Sequence, residues 1–336
     1  MTNRETTPSS GGRFLGAAGG ALLAAAAGWI LYSKYGIHHH LPLPDAIPAR
    51  RDEIISKSAG RISYYSDTSG SGRPLVLVHS INAAASAYEV GPLFAHYRGT
   101  RPVYALDLPG YGFSDRGKRI YHPELFENAL TDFLAAVVGA QADVIALSLG
   151  GEFSARAALS HPELVHSLVM ISPTGLNPIK PSRSPIYPDT RGVNNALHAG
   201  LSAPLWGRAL FDFLVTHTSI EYFLQKSFVG QVPPGLIEYG YLTTHQPDAE
   251  NAPLYFISGK LFTPSVRTQV YERLRVPTLV IYDRDPYTRF KMLPDLLLKN
   301  PNWQAVRLIP SKGLPHFERL ADTVDVINGF YKGIKS

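Results

Sequence analysis

The strongest constraint on the fold is a set of short runs with no polar break: LVLV at 75–78, LVMI at 168–171 and TLVIY at 278–282. A strand with one wet face alternates apolar and polar residues. A run apolar at every position is buried on both faces, as in a parallel sheet covered by helices on each side. Further strands are expected at 61–65, 103–106, 144–147 and 305–309, with helical patterns at 123–138, 150–160, 294–298 and 318–332. Alternation of strand and helix predicts an α/β fold with a mostly parallel sheet. The pattern breaks once, between 171 and 278, where Pro, Tyr, Phe, Leu and His are abundant. A structureless loop of about a hundred residues does not fit a compact domain. A mainly helical cap, inserted at 173–276, is the economical reading. Residues 54–172 and 277–336 then form the core, and residues 1–53 a leader and linker.

The chemistry is concentrated where strands end. VIALSLGG at 144–151 is an apolar strand running into small-x-Ser-x-Gly, followed by the helical EFSARAALS. A serine on so tight a strand-to-helix turn projects its hydroxyl above the sheet, and Ala146 and Gly150 must be small because backbones crowd there. The helix that follows aims its first N–H groups at the same spot, where a developing oxyanion would sit. LVLVHSIN at 75–82 brings a second loop to this edge, with His79 expected to brace the loop rather than react. VPTLVIYDRDP at 276–286 delivers two carboxylates, Asp285 and its competitor Asp283. LIPSKGLPHFE at 308–318 places His316 on the loop after the last strand, where it could take a proton from Ser148.

In this order of elbow serine, post-strand acid and loop histidine, the chain resembles the α/β-hydrolase superfamily, from about residue 54 to the carboxyl end apart from the cap. ALDLPGYGFSD at 105–115 and HPELV at 161–165 extend the likeness. The resemblance implies Ser148 as nucleophile, His316 as base and Asp285 as acid. It implies an oxyanion hole from the N–H groups of Ile81 and Leu149, and no catalytic role for Asp107. Two positions depart from the family pattern: Ser80 replaces the usual Gly after His79, and Asp283 stands near the usual post-strand Gly. A serine at the elbow also excludes the Asp-dependent dehalogenases and Cys-dependent lactone hydrolases of this superfamily, but not its C–C bond hydrolases or perhydrolases.

Other chemistries lack their residues. There is no Cys among 336 residues, so thiolate nucleophiles, thiolate metal sites and disulfides are impossible. No histidine pair has the spacing of HExxH, and no phosphate-binding Gly loop follows a strand, so neither metal nor cofactor is expected. The surplus of 32 basic over 27 acidic residues is small and scattered, which gives no case for nucleic acid.

Residues 14–33 carry no charge. As a helix this run would reach about 30 Å, the thickness of a hydrocarbon core. A membrane anchor with the globular part outside the cytoplasm is expected, with a cleaved signal peptide or an Ala/Gly-rich soluble leader as alternatives. His38, His39 and His40 then fall in a Pro-rich linker read as a solvated hinge. The expectation is a serine hydrolase for carboxylic esters of hydrophobic, lipid-like substrates, the apolar pocket being suggested by the aromatic cap. The alternatives are a C–C hydrolase or perhydrolase with the same triad, or a binding protein on the same scaffold.

Overall fold

The computed structural model describes residues 10–178 and 191–334, so cap positions 179–190 lie outside the described residues. Its centre is an eight-stranded sheet in the order β1-β2-β4-β3-β5-β6-β7-β8. The strands are β1 (Arg50–Ser56), β2 (Gly60–Asp67), β3 (Leu75–Val78), β4 (Val103–Leu106), β5 (Ala142–Leu147), β6 (Val165–Ile171), β7 (Thr278–Tyr282) and β8 (Trp303–Arg307). β1 and β2 pair antiparallel, β2 joins β4 antiparallel, and every pair from β4 to β8 is parallel.

The unbroken apolar runs are explained by two cores, one on each face. Val76, Val78, Val144 and Ala146 face one core, while Leu75, Leu77, Ile145 and Leu147 face the other. Successive side chains point to opposite faces of a strand, so both parities must be apolar. β1 is the strand that periodicity does not reveal: RRDEIIS is charged and largely exposed, as suits a sheet edge. Ala46 and Ile47, just ahead of it, are already buried in the second core.

In the parallel half, helices α2 (Gly91–Tyr97), α3 (Pro123–Phe133) and α4 (Gly150–Ser160) connect the strands. Between β6 and β7 the described residues contain no strand. They form α5 (Arg191–Leu201), α6 (Gly207–Leu214), α7 (His217–Gln225), α8 (Pro234–Thr244), α9 (Asn251–Ile257) and the short α10 (Val266–Gln269). This is the helical cap insertion, with a small core of its own around Phe211, Val215, Ile220 and Ala249. The chain closes with α11 (Leu293–Lys299), the single turn α12 (Pro315–Glu318) and α13 (Leu320–Gly333).

The leader departs from expectation. It forms α1 (Ser10–Tyr35), yet among the described residues no helix is long and apolar enough to cross a membrane. The carboxyl-terminal end of α1 docks on the cap through polar contacts. Trp29 Nε1 donates to the Ala209 carbonyl at 2.7 Å, and Ser33 Oγ donates to Asp212 at 2.6 Å. In the histidine linker His38 and His40 are exposed, as expected, but His39 is docked: its Nε2 meets the same Asp212 carboxylate at 3.0 Å, and its ring stacks on His245.

Candidate active site

Parallel strands β3, β5, β6 and β7 all end at one edge of the sheet, and the expected site residues gather there. Ser148 follows β5 directly at φ +47°, a left-handed conformation that a serine adopts only where the surroundings enforce it. Its N–H is held by the Ile171 carbonyl at 2.9 Å, which pins the turn to β6. The need for glycine next to it is concrete. A Cβ on Gly150 would stand 2.4 Å from the His79 carbonyl oxygen at the end of β3. The serine is therefore lifted out of the sheet by a turn that is wedged against the neighbouring strand.

Ile81 lies on the loop after β3, and Leu149 is the residue after the elbow serine; both are buried. Neither N–H has a backbone acceptor among the described residues. Two such donors beside an elbow serine are what an oxyanion hole requires. His79 does brace the loop. It donates Nδ1–H to the Ser80 carbonyl at 2.5 Å and accepts the Leu108 N–H on Nε2 at 2.9 Å, which fixes its tautomer. Burial pushes its pKa down to about 4, so it stays neutral. Asp107 also serves the framework: its two oxygens accept the N–H groups of Ala87 and Phe113 at 2.9 and 3.0 Å.

The two candidate acids differ in their commitments. Asp283 is buried and occupied on both oxygens, by Arg307 Nε at 2.8 Å and the Ser311 N–H at 3.0 Å. Asp285 is partly buried and uses Oδ1 for the N–H groups of Tyr287 and Thr288, at 2.7 and 2.9 Å. Its Oδ2 faces the histidine loop, where a Cβ on Gly313 would stand 3.3 Å away. Burial raises the Asp285 pKa, and the two backbone donors together with the Ser172 hydroxyl work against that rise.

His316, on α12, is fully buried. Its Nε2 donates to the Glu89 carbonyl at 2.7 Å, and its Nδ1 has no partner. The structure thus brings His316 to the right edge without bonding it to Ser148 or to Asp285. Burial lowers its pKa to about 4. Catalytic hydrogen bonds are commonly long or misaligned before substrate binds.

Two buried acids near the site were not singled out by sequence. Glu89 accepts the Ser80 N–H and the Asn82 amide. Glu152, one helical turn after Ser148, accepts Thr174 Oγ1 at 2.5 Å and the Thr263 N–H at 3.0 Å, tying the elbow helix to the end of the cap. Burial raises its pKa to about 7. Neither belongs to a recognisable motif; the only signal is an acid inside a stretch of small and apolar residues. The described residues contain no cluster of His, Asp or Glu able to hold a metal.

The sequence profile of the alpha/beta hydrolase family matches residues 75–326, three quarters of the chain. The chain belongs to the alpha/beta hydrolase family. It is 27% identical over 266 residues to the pimeloyl-[acyl-carrier protein] methyl ester esterase of Aeromonas hydrophila, covering 78% of this chain and 96% of that protein. It is 30% identical over 128 residues to a 2-hydroxymuconate semialdehyde hydrolase of Pseudomonas sp., covering 38% of this chain and 42% of that one. The crystal structure of a membrane phospholipase A, a bacterial virulence factor, superimposes with a TM-score of 0.63 at 19% identity, over 95% of this chain and 96% of that one. At that identity the superposition shows the fold.

Proposed function

We propose that this alpha/beta hydrolase cleaves carboxylic esters through an acyl-enzyme. Ser148 attacks the carbonyl carbon, His316 takes the hydroxyl proton and returns it to the leaving alcohol, and Asp285 orients the imidazole. The N–H groups of Ile81 and Leu149 receive the oxyanion, each supplying about 2.7–4 kcal/mol of transition-state stabilisation. Water then resolves the acyl-enzyme by the same steps in reverse. The observation that carries this reading is the strained elbow: Ser148 at φ +47°, with the Ile81 and Leu149 N–H groups lacking a backbone acceptor among the described residues.

In this role the His316 proton moves from Nε2 to the unpartnered Nδ1, which then donates to Asp285, and the Nε2 lone pair leaves the Glu89 carbonyl to face Ser148. Asp285 is favoured over Asp283 because Arg307 and Ser311 already occupy both oxygens of the latter.

An esterase among the sequence relatives supports the ester reading, and the cap's aromatic content supports an apolar acyl or alcohol group. Phe211, Phe228 and Tyr239 are buried within the cap and its seam, while Trp206, Phe213, Tyr222 and Phe223 are exposed. A C–C bond hydrolase with the same triad is the second reading, favoured by the semialdehyde hydrolase match. A location outside the cytoplasm rests on the uncharged run at 14–33 alone, and fractionation of cells expressing the full chain tests it.

The deciding experiment is intact-mass labelling of the full chain with a fluorophosphonate, with Ser148→Ala as control. One adduct on the wild type and none on the variant supports an activated serine. A panel of esters and β-diketones then separates the two bond types. Absence of an adduct on folded wild-type protein would overturn the serine-hydrolase reading.

A further inference from the structure

The geometry points to Glu89 as a positioning residue that holds the Ile81 oxyanion donor in place and parks the His316 ring in the resting enzyme. This rests on the serine-hydrolase reading above and adds to it a residue outside the triad and the hole.

Glu89 lies on the single turn Ala87–Val90 and is only 2% exposed. Its Oε2 accepts the Ser80 N–H at 2.9 Å, and its Oε1 accepts Asn82 Nδ2 at 2.7 Å. Ser80 and Asn82 are the residues on either side of Ile81. Both carboxylate oxygens therefore grip the chain immediately before and immediately after the N–H that faces the oxyanion. The grip is cross-linked within itself. Asn82 Nδ2 also reaches Ser80 Oγ at 3.0 Å, and Asn82 Oδ1 accepts the Ala84 N–H at 2.7 Å. The loop is otherwise lined by small residues, Ala83, Ala84 and Ala85, which offer few side-chain anchors of their own.

The same residue reaches the base by its backbone. The Glu89 carbonyl is the acceptor for His316 Nε2 at 2.7 Å. One residue thus touches both the oxyanion loop and, in the resting enzyme, the proposed general base. No lysine or arginine pairs with the carboxylate among the described residues. Burial of this acid without a counter-ion raises its pKa, and the Ser80 hydroxyl and N–H together with the Asn82 amide work against that rise. A purely structural corner would be served by an apolar residue of the same volume.

The test uses the full chain with p-nitrophenyl butyrate as substrate and a trifluoromethyl ketone as probe of the oxyanion site. Glu89→Gln keeps the volume but turns one acceptor into a donor, which then opposes either the Ser80 N–H or the Asn82 amide. A displacement of the donor by about 1 Å lowers kcat about 10²-fold. KM should change little, because the contact strengthens only in the transition state. The ketone, which places an oxyanion in the hole, should weaken by a comparable factor. Asn82→Ala removes one arm at a partly exposed position and should shift kcat and ketone affinity in the same direction by less. If Glu89→Gln does not fold, this second variant decides alone.

Unchanged kcat and ketone affinity in a folded Glu89→Gln protein, or in Asn82→Ala alone, would overturn the assignment. Failure here is distinguishable from failure of the functional reading. An active Ser148→Ala protein sinks the triad, whereas an inactive Ser148→Ala with a normal Glu89→Gln sinks only the role of Glu89.

Discussion

His316 gives its Nε2–H to the carbonyl of Glu89 at 2.7 Å, and its other ring nitrogen meets nothing. In the proposed mechanism the nitrogen that faces the nucleophile needs a lone pair, so this is a resting arrangement from which the Nε2 proton must first pass to Nδ1. The environment of the ring should therefore differ between the free enzyme and its substrate complex.

That difference has a pH signature. In the free enzyme, burial without a carboxylate partner places the His316 pKa at about 4, below the ordinary 6.5. The ring stays unprotonated as pH falls through 6.5 and protonates only near 4. Once Nδ1–H bonds Asp285, the negative charge favours the imidazolium and raises the pKa again. Because kcat/KM reports the free enzyme and kcat the complex, the acid limb of kcat/KM should lie at lower pH than that of kcat. Two limbs coinciding near 6.5 would show that His316 is already paired before substrate arrives.

The two candidate acids make opposite predictions for their amides. Asp285→Asn leaves a carboxamide that selects the wrong tautomer of His316, a change that costs about 10⁴ in kcat in a triad of this type. Asp283→Asn weakens the bonds to Arg307 and Ser311, so it should lower the melting temperature while leaving kcat near wild type. Kinetics and thermal unfolding of the two variants, side by side, check the pair. Equal small losses of activity in both would remove the acid assignment.

The elbow supplies a packing prediction. Gly150→Ala would place a Cβ 2.4 Å from the His79 carbonyl, a contact with backbone that no rotamer can relieve. Overpacking of this sort costs about 1–3 kcal/mol. Here the strain should also push the elbow away from β3, along with the Ser148 hydroxyl. Fluorophosphonate labelling should slow markedly in a protein that still folds. Labelling at the wild-type rate would mean the turn yields without moving the serine.

How much of this was legible in sequence follows from which forces are local. LVLV, LVMI and TLVIY declared the parallel sheet because burial on both faces leaves no polar position to hide. The elbow around Ser148 was readable because it needs small residues at fixed offsets. β1 was not, because the edge strand RRDEIIS is wet on most positions and takes its pairing from β2 rather than from an apolar pattern. Glu89 was unreadable for a related reason: its partners, Ser80 and Asn82, meet it only after the loop folds back. The docking of the leader was not readable either, because it rests on a few contacts at the end of α1 while residues 20–28 of the uncharged run stay exposed. Only the structure brings Trp29 and Ser33 against α6.

That last contact has a consequence for stability. The Asp212 carboxylate is fully buried and shared by Ser33 Oγ, His39 Nε2 and Arg208 Nε, at 2.6, 3.0 and 2.9 Å. Two of its three donors come from the leader and linker. Ser33→Ala removes one donor from a buried charged acceptor, which costs about 1–3 kcal/mol. Truncation to residue 45 removes Ser33, His39 and Trp29 together, and with them the edge-on contact of Trp29 with the exposed Phe213 ring at 5.9 Å. The truncated chain should melt well below the full one and below Ser33→Ala. Asp212→Asn, which lowers the charge that needs those donors, should recover part of the loss in the truncated background. If full and truncated chains melt together, the leader is a passive appendage and its contacts with the cap carry no stability.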